Sequence, residues 1–461
     1  MKLENKRLSD ALLQLKNENM YPFHMPGHKR EIGRFLNMLS NEEDSFGERL
    51  LPAYEIDITE IDGFDNLHDA KGIIKNSQDA ARDLYGADET FFLVNGSTSG
   101  ILSAISSVAK KGGKIIVGRN CHVSVFNGIE ICGLEPVYVY PEIIAKEMIP
   151  SGICGSIRKE DVEKAILENM DAVAIVITSP TYDGVLSDCQ AIAKLAHEYD
   201  IPLIVDEAHG ALFFMEGRSA VKNGADIVIN SVHKTMPSLT QTALLHVNGN
   251  LVSRDRLKKY LKIYQTSSPS YVLMGSIDYA VRIFEENGRE LYRDFCVKLF
   301  KLKDELRSLR NIKYVSKDEL MLDGAFDYDE SKILIASGNT SLSGKQIYNI
   351  LRSKYKLQPE MAAGDYVLLM VTVFDSYEGI ERLAASLREI DKEYQNVESI
   401  DETEEEIDIK KLVDSIGKPS EYTVYAYPPG IPIIAEGEIV TEDAISEIET
   451  AIKKGLDIKG L

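Results

Sequence analysis

Short apolar segments alternate with helix-like segments between residues 85 and 250 of this 461-residue chain. The strand candidates are Thr90–Val94, Lys114–Gly118, Pro136–Tyr140, Ala172–Ile177, Leu203–Val205 and Ile227–Ile229. Helix-like stretches separate several of them, among them Gly96–Lys110, Arg158–Asn169 and Ser187–Tyr199. Apolar strands that alternate with helices are typical of a mostly parallel sheet covered on both faces. The pattern therefore predicts an α/β fold for this region.

Polar residues follow three of these strand candidates at the point where each strand ends. They are Asn95–Thr98, Asp206 and Ser231–Lys234. Ligands of parallel α/β sheets bind at the carboxyl ends of the strands. We therefore expect these residues to belong to one site.

The pattern changes after the predicted sheet. A long amphipathic stretch, 275–309, predicts a helix that leads out of the large domain, and two strands with one helix predict a second α/β domain: Lys332–Ala336, Tyr366–Thr372 and Ser343–Tyr355. The acidic run 398–410 indicates a solvated linker or helix face. We predict four parts: an N-terminal segment (1–20), a large domain with its connecting helix (21–310), a small α/β domain (311–395) and a C-terminal subdomain (396–461).

Composition limits the function classes. The formal net charge of −21 argues against a nucleic-acid partner, because phosphate binding needs basic patches. The charged N-terminus lacks the apolar core of a secretory signal, and no apolar stretch is long enough to span a bilayer. The five cysteines are odd in number and form no Cys-x-x-Cys pair, so we expect reduced thiols in a cytoplasmic protein.

Lys234 follows an apolar strand and stands beside Ser231 and His233. Such a lysine is placed to form a Schiff base with an aldehyde cofactor, and Asp206 could keep a ring nitrogen of that cofactor protonated. This pairing is typical of pyridoxal 5′-phosphate (PLP) chemistry. The alternative is a solvent-exposed loop lysine, as most lysines are.

The segment Asn95–Gly100 lies between a predicted strand and a predicted helix. The hydroxyls of Ser97, Thr98 and Ser99, with the first N–H groups of the helix, would cradle a phosphate monoester. The alternative is a common serine or threonine N-cap with a glycine turn. Neither the dinucleotide-binding Gly-x-Gly-x-x-Gly motif nor the Walker A motif is present in this segment. Dinucleotides and nucleoside triphosphates are therefore less favoured as its ligands.

His122 follows the strand at 114–118 and could lie flat on a pyridine ring or act as an acid–base group. The alternative is a hydrogen-bonded histidine at a strand end. His209 and His233, with Asp206 and Glu207, could suggest a metal. They lack the His-Glu-x-x-His spacing and a clear third ligand, so we predict no metal site.

Seven motifs in order resemble one family. They are Tyr21–Lys29, Asp57–His68, Asn95–Thr98, Arg119–His122, Asp206–Gly210, Ser231–Lys234 and Tyr427–Pro432. The chain resembles the Orn/Lys/Arg decarboxylases, which are fold type I PLP-dependent enzymes, in their short bacterial form without the N-terminal wing domain. The resemblance extends from about residue 21 to residue 440.

The resemblance implies an aspartate aminotransferase-like fold and α-decarboxylation of lysine, arginine or ornithine to a polyamine or its precursor. It implies a homodimer or higher oligomer with active sites at the subunit interface. It assigns the Schiff base to Lys234, the pyridinium contact to Asp206 and ring stacking to His122. It gives phosphate contacts to Thr98, Ser99 and Ser231, and it places His233 beside the Schiff base.

Three further expectations come from the resemblance. Gln265–Pro269 corresponds to a stretch that approaches the neighbouring subunit's cofactor. Glu360 corresponds to a glutamate that faces the substrate, although a surface loop glutamate is an equal alternative. His209 stands among the cofactor-binding residues, where the larger inducible members have tryptophan.

Two alternative functions stay open at this point. Transamination or β-elimination would use the same lysine, aspartate and phosphate motifs, because substrate orientation decides which bond breaks. A non-catalytic chain that binds PLP or a partner as a regulatory module is the other. Intact Lys234 and Asp206 argue against that role.

Overall fold

The computed structural model describes residues 6–18, 21–30, 45–394, 409–427, 430–453 and 456–460. The helices are α1 (Leu8–Glu18), α2 (Ser45–Ile56), α3 (Ile73–Tyr85), α4 (Gly96–Val108), α5 (Val123–Cys132), α6 (Lys159–Glu168), α7 (Cys189–His197), α8 (Val232–Thr235), α9 (Arg254–Tyr264), α10 (Tyr271–Leu306), α11 (Lys317–Leu322), α12 (Gly344–Ser353), α13 (Tyr377–Glu393), α14 (Lys410–Val413) and α15 (Glu442–Lys453). The strands are β1 (Glu89–Leu93), β2 (Lys114–Gly118), β3 (Glu135–Val139), β4 (Ile143–Ile144), β5 (Ile153–Cys154), β6 (Ile175–Thr178), β7 (Val185–Leu186), β8 (Leu203–Asp206), β9 (Ile227–Asn230), β10 (Ala243–Val247), β11 (Lys313–Val315), β12 (Asp327–Tyr328), β13 (Lys332–Ala336), β14 (Met361–Ala363), β15 (Tyr366–Met370), β16 (Val424–Tyr427), β17 (Ile431–Ile434) and β18 (Asp457–Lys459).

Every strand that the apolar pattern predicted is present, with ends that differ by a few residues. The predicted helices are also present, and the amphipathic stretch after Gly275 is α10, a helix of 36 residues. The strands that the pattern did not identify include β10, whose five residues are all buried. Nearly all of the acidic run 398–410 lies outside the described residues.

The chain divides into two compact units. The first comprises the described parts of Met1–Ala109 and Gly210–Arg289. Here β10 pairs antiparallel with both β1 and β9, so β1 and β9 run in the same direction. Helix α4 packs on all three strands and on α9. The carboxyl ends of β1 and β9 therefore lie at the same edge, where α4 and α8 begin.

The second unit comprises the described parts of Lys110–His209 and Glu290–Leu461. Its parallel strands follow the order β8, β6, β2, β3, and Thr178 at the end of β6 is level with Asp206 at the end of β8. The carboxyl ends of β8, β6 and β2 thus share one edge. The segments that leave this edge begin at Ser179, Glu207 and Arg119.

Four smaller sheets belong to the described part of the second unit, and two of them are the short pairs β4 with β5 and β7 with β12. The antiparallel strands β11, β13, β15 and β14 pack with α12, and β17, β16 and β18 pack with α15 over an apolar core. The sequence-based division at residues 20, 310 and 395 stays a prediction. None of the described helices combines the length and apolar character that a membrane crossing requires.

Candidate active site

Helix α4 begins directly after β1 with a turn suited to an anion. Gly96 has a φ of +72°, and a Cβ added there would meet no atom within 4 Å. Asn95 occupies the N-cap position without capping the helix, because its Oδ1 accepts a hydrogen bond from the Thr266 N–H at 3.2 Å. The N–H groups of the first helical turn are therefore left without a side-chain cap.

Hydroxyl groups surround this turn. Ser231 Oγ donates to Ser97 Oγ at 2.9 Å, which joins the end of β9 to the start of α4. Thr98 is exposed, whereas the buried Ser99 donates its hydroxyl to the Gly96 carbonyl at 2.8 Å. Open space at Gly96, uncapped N–H groups and a positive helix end fit a phosphate monoester. Ser99 would contribute its N–H, because its hydroxyl proton is already engaged.

Lys234 and His233 lie on the short helix α8 after β9. Both side chains are half-buried. His233 Nδ1 donates to the Thr242 carbonyl at 2.8 Å, since a carbonyl oxygen can only accept. Burial and, more weakly, the Lys234 charge lower the pKa of His233, while the Thr242 contact opposes them. His233 is therefore neutral near pH 7, with its acceptor at Nε2.

Asp206 ends β8 in the second unit and is 4% exposed. Its Oδ1 accepts a hydrogen bond from the Ala208 N–H at 3.1 Å, which fixes the orientation of the carboxyl group. A buried carboxylate is stabilised by a cationic partner, and a protonated pyridine nitrogen would supply one. The residue thus fits the role that the sequence predicts for it.

His122 is the N-cap residue of α5, in the segment that follows β2. Its Nδ1 accepts from the Ser124 N–H at 3.2 Å and lies 2.9 Å from Ser124 Oγ. Because Nδ1 is an acceptor, the neutral imidazole carries its proton on Nε2. The N-cap contact holds the ring in one orientation, as stacking on a planar cofactor requires.

His209 and Glu360 both contact Tyr182, and His209 also contacts Lys332. The sequence analysis identified neither Tyr182 nor Lys332 as a site residue. His209 Nδ1 lies 2.8 Å from the Nζ of the fully buried Lys332, and its ring meets Tyr182 edge-on, with 4.9 Å between centroids. Tyr182 donates its hydroxyl to Glu360 Oε1 at 2.5 Å. Burial and then Glu360 raise the pKa of Tyr182, so the phenol remains a donor.

The structure groups the predicted residues within each unit. The first unit brings together the phosphate and lysine residues Ser97, Thr98, Ser99, Ser231, His233 and Lys234. In the second, His209 and Glu360 both contact Tyr182, while Asp206 ends β8 and His122 follows β2 of the same parallel sheet. Tyr182 could have been predicted by the rule that identified Asp206, because it also lies shortly after the end of a predicted strand. Lys332 has no such signal, because it reads as an ordinary strand-initiating lysine.

No three His, Cys, Asp or Glu side chains cluster as metal ligands within the described residues. The expectation that no metal is bound stays a prediction.

Comparison with known proteins identifies the family. Residues 7–325 match the model of the Orn/Lys/Arg decarboxylase major domain. The chain belongs to the Orn/Lys/Arg decarboxylase family. It is 34% identical over 460 residues to an arginine decarboxylase of Bacillus subtilis, covering 95% of this chain and 92% of that relative. An arginine decarboxylase of Bacillus anthracis is 32% identical over 98% of this chain and 94% of its own length.

Solved structures of low sequence identity share the fold. The crystal structure of the Francisella novicida lysine decarboxylase LdcF superposes with a TM-score of 0.81 at 18% identity, over 99% of this chain and 79% of that one. Serine palmitoyltransferase of Sphingomonas wittichii gives 0.55 at 16% identity, over 76% of this chain and 82% of that one. The predicted fold type I PLP-dependent architecture is confirmed.

Family membership also confirms the predicted reaction class. This family member is a PLP-dependent decarboxylase of a basic amino acid. Transamination and β-elimination are therefore less favoured than decarboxylation. They rested only on lysine, aspartate and phosphate motifs that do not distinguish PLP reactions on this fold.

Proposed function

We propose that the substrate is L-arginine and that the product is agmatine. The observation that carries this proposal is the pattern of identity among relatives. The arginine decarboxylases of Bacillus subtilis and Bacillus anthracis match at 34% and 32% over nearly the whole chain, whereas the lysine decarboxylase LdcA of Pseudomonas aeruginosa and the biodegradative arginine decarboxylase of Escherichia coli each match at 25%, over 65% and 61% of it. The sequence motifs alone left lysine, arginine and ornithine open.

We assign PLP to the residues that fit it. The first turn of α4, with Ser97, Thr98 and Ser231, would hold the phosphate, and the backbone N–H of Ser99 would assist. Lys234 would carry the cofactor through its amine. Bound PLP supplies an electron sink for the pair released when the bond from Cα to the carboxylate breaks.

Charged and polar side chains of the enzyme would tune that sink. The buried carboxylate of Asp206 would keep the ring nitrogen protonated, and the oriented imidazole of His122 would stack on the ring. Neutral His233 presents an acceptor at Nε2, so it can take up a proton beside the Lys234 amine. Either Lys234 or His122 would donate a proton to Cα once carbon dioxide has left.

The pair of Tyr182 and Glu360 is our candidate for recognition of the distal cation. A carboxylate offers two oxygens to the planar guanidinium fork of arginine, a match that a lysine ammonium does not need. The Tyr182 hydroxyl holds one of these oxygens at 2.5 Å. Glu360 itself is exposed, so this orienting contact is what would give it a defined direction.

We further propose that the enzyme acts as a cytoplasmic homodimer in polyamine production. None of the five cysteines forms a disulfide, and Cys121 and Cys189 are buried thiols, which suits a reducing compartment. Agmatine is a guanidino amine, and reactions that remove its guanidino carbon would yield a diamine for polyamine production.

Carbon dioxide release tests the proposal. The purified chain with added PLP is offered L-arginine, L-lysine and L-ornithine separately, with Lys234→Ala as the control. We expect carbon dioxide and agmatine from arginine, and neither from the Lys234→Ala chain. Faster release from lysine or ornithine would overturn the substrate assignment, and formation of a keto acid would indicate transamination instead.

A further inference from the structure

The segment that carries His122 is held by the C-terminal hairpin of β16 and β17. The Val123 N–H, next to His122, donates to the Gly430 carbonyl at 2.9 Å. Gly430 lies in the turn of the hairpin and is buried. Its own N–H donates to the Ala426 carbonyl at 2.9 Å, which closes the turn.

Arg119 also binds the segment that carries His122 to the hairpin. Its guanidinium donates to the carbonyls of Pro432 and Ile433 at 2.6 and 3.1 Å. It also forms a two-pronged ion pair with Glu438, with distances of 3.1 and 2.8 Å. The Arg119 side chain is 12% exposed, so these contacts are shielded from water more than a surface pair would be.

Gly430 touches the edge of the His122 ring. A Cβ built at Gly430 would stand 3.0 Å from His122 Nε2 and 3.1 Å from Cδ2, closer than ordinary van der Waals contact. Nε2 is the nitrogen that carries the proton, because Nδ1 accepts from the Ser124 N–H. A methyl group at this position would displace the ring by a few tenths of an ångström.

We infer that the C-terminal hairpin sets the position of His122, with Gly430 as the positioning residue. The inference deepens the proposed function and rests on its placement of His122 against PLP. The N-cap contact fixes one edge of the imidazole, and Gly430 limits the opposite edge. The C-terminal subdomain thereby contributes to cofactor binding, although it lies outside the match to the family's major domain.

Two glycines of this subdomain give a matched test. Gly430 and Gly437 have φ values of +87° and +82°, so alanine meets similar backbone strain at both. Only Gly430→Ala brings a methyl group against His122, because a Cβ at Gly437 meets nothing within 4 Å. We expect Gly430→Ala to weaken PLP affinity about tenfold or more, and Gly437→Ala to stay within about twofold of the wild type. Titration of the cofactor-free chain with PLP, followed by absorbance, measures both. Equal affinities in the two variants would overturn the inference.

A double-mutant cycle separates positioning from general damage. In a His122→Ala background the added methyl group has room, so Gly430→Ala should cause no further loss of PLP affinity. Additive losses would show that Gly430 acts elsewhere and would overturn the inference.

Glu438→Gln provides a second variant if Gly430→Ala does not fold. It weakens the Arg119 anchor without adding an atom near His122, and the exposed Glu436→Gln is its control. We expect Glu438→Gln alone to lower PLP affinity by about threefold or more. Unchanged affinity would overturn the inference. A wild type that binds PLP but releases no carbon dioxide from arginine would end the substrate proposal while these affinity comparisons still decide the role of the hairpin.

Discussion

Lys332 is fully buried, and it contacts His209 at 2.8 Å. An ammonium can only donate, so Nδ1 of His209 accepts and the imidazole proton stays on Nε2. The Asp183 carboxylate lies close enough to interact with the same cation. Lys332 thus selects the tautomer that His209 presents.

We predict that Lys332→Met lowers kcat/KM for arginine about tenfold or more. A hydrogen bond to a charged group contributes about 1.5–3 kcal/mol, and about 1.4 kcal/mol corresponds to a factor of ten. Steady-state kinetics measures the effect. Lys313→Met is the control, because Lys313 begins the neighbouring strand β11 but is exposed. Wild-type kinetics in Lys332→Met would show that the buried lysine serves only the fold.

Tyr182 tests substrate recognition. We predict that Tyr182→Phe raises KM for arginine about three- to tenfold while kcat changes less than about twofold, because Glu360 loses its orienting donor but no reacting group is removed. The expected effect on KM is modest because Glu360 is exposed and water weakens its contacts. The exposed Tyr140, changed to Phe, is the control. An unchanged KM would mean that Glu360 does not contact the substrate.

Strand β10 carries a buried titratable group into the first unit. His246 is level with Thr90 of β1, lies 2.8 Å from its Oγ1 and stacks on the Tyr85 ring with 4.2 Å between centroids. Burial lowers the pKa of His246 from 6.5 to about 3. Between these values the unfolded chain binds a proton that the folded chain does not, so stability falls as the pH falls from about 6.5 towards 3.

We predict that His246 alone makes the unfolding free energy about 1 kcal/mol smaller at about pH 5.8 than at about pH 8. Urea unfolding at both pH values should therefore show a smaller pH dependence for His246→Gln than for the wild type. His197→Gln, at an exposed position of α7, should retain the wild-type dependence. Identical pH dependence in His246→Gln would mean that the ring becomes protonated without leaving its site.

The segment Gln265–Pro269 connects a single chain to its predicted assembly. Thr266, Ser267 and Ser268 are exposed, although His68 Nε2 donates to the Thr266 carbonyl at 2.8 Å and the Asn95 side chain binds the Thr266 N–H. An ordered segment with exposed side chains suits the family expectation that it approaches a neighbouring subunit's cofactor.

We predict a homodimer whose sites are completed in this way. Ser267→Glu should be inactive, because its carboxylate would repel the neighbour's phosphate. Mixing it with inactive Lys234→Ala should restore up to about a quarter of wild-type activity, since half of the dimers are mixed and each has one intact site. Sedimentation measures the dimer and the carbon dioxide assay measures recovery. A mixture that stays inactive while mixed dimers form would refute shared sites.

The sequence by itself predicted the fold class, the parallel strands and their helices, and a set of candidate PLP-binding residues. It could do so because apolar strands, and polar residues just after them, leave local patterns along the chain. Asp206, His122 and Lys234 were all predicted as site residues in this way. The antiparallel β10 was not identified, and His246 interrupts its short apolar run.

Only the tertiary structure decided which distant residues meet these side chains. Lys332 lies 123 residues from His209, and Glu360 lies 178 residues from Tyr182. The contact of Gly430 with His122 likewise depends on a hairpin docked by Arg119. Burial and hydrogen bonding are properties of packed neighbours, so no local pattern could reveal that a strand lysine selects a tautomer or that a turn glycine limits a ring.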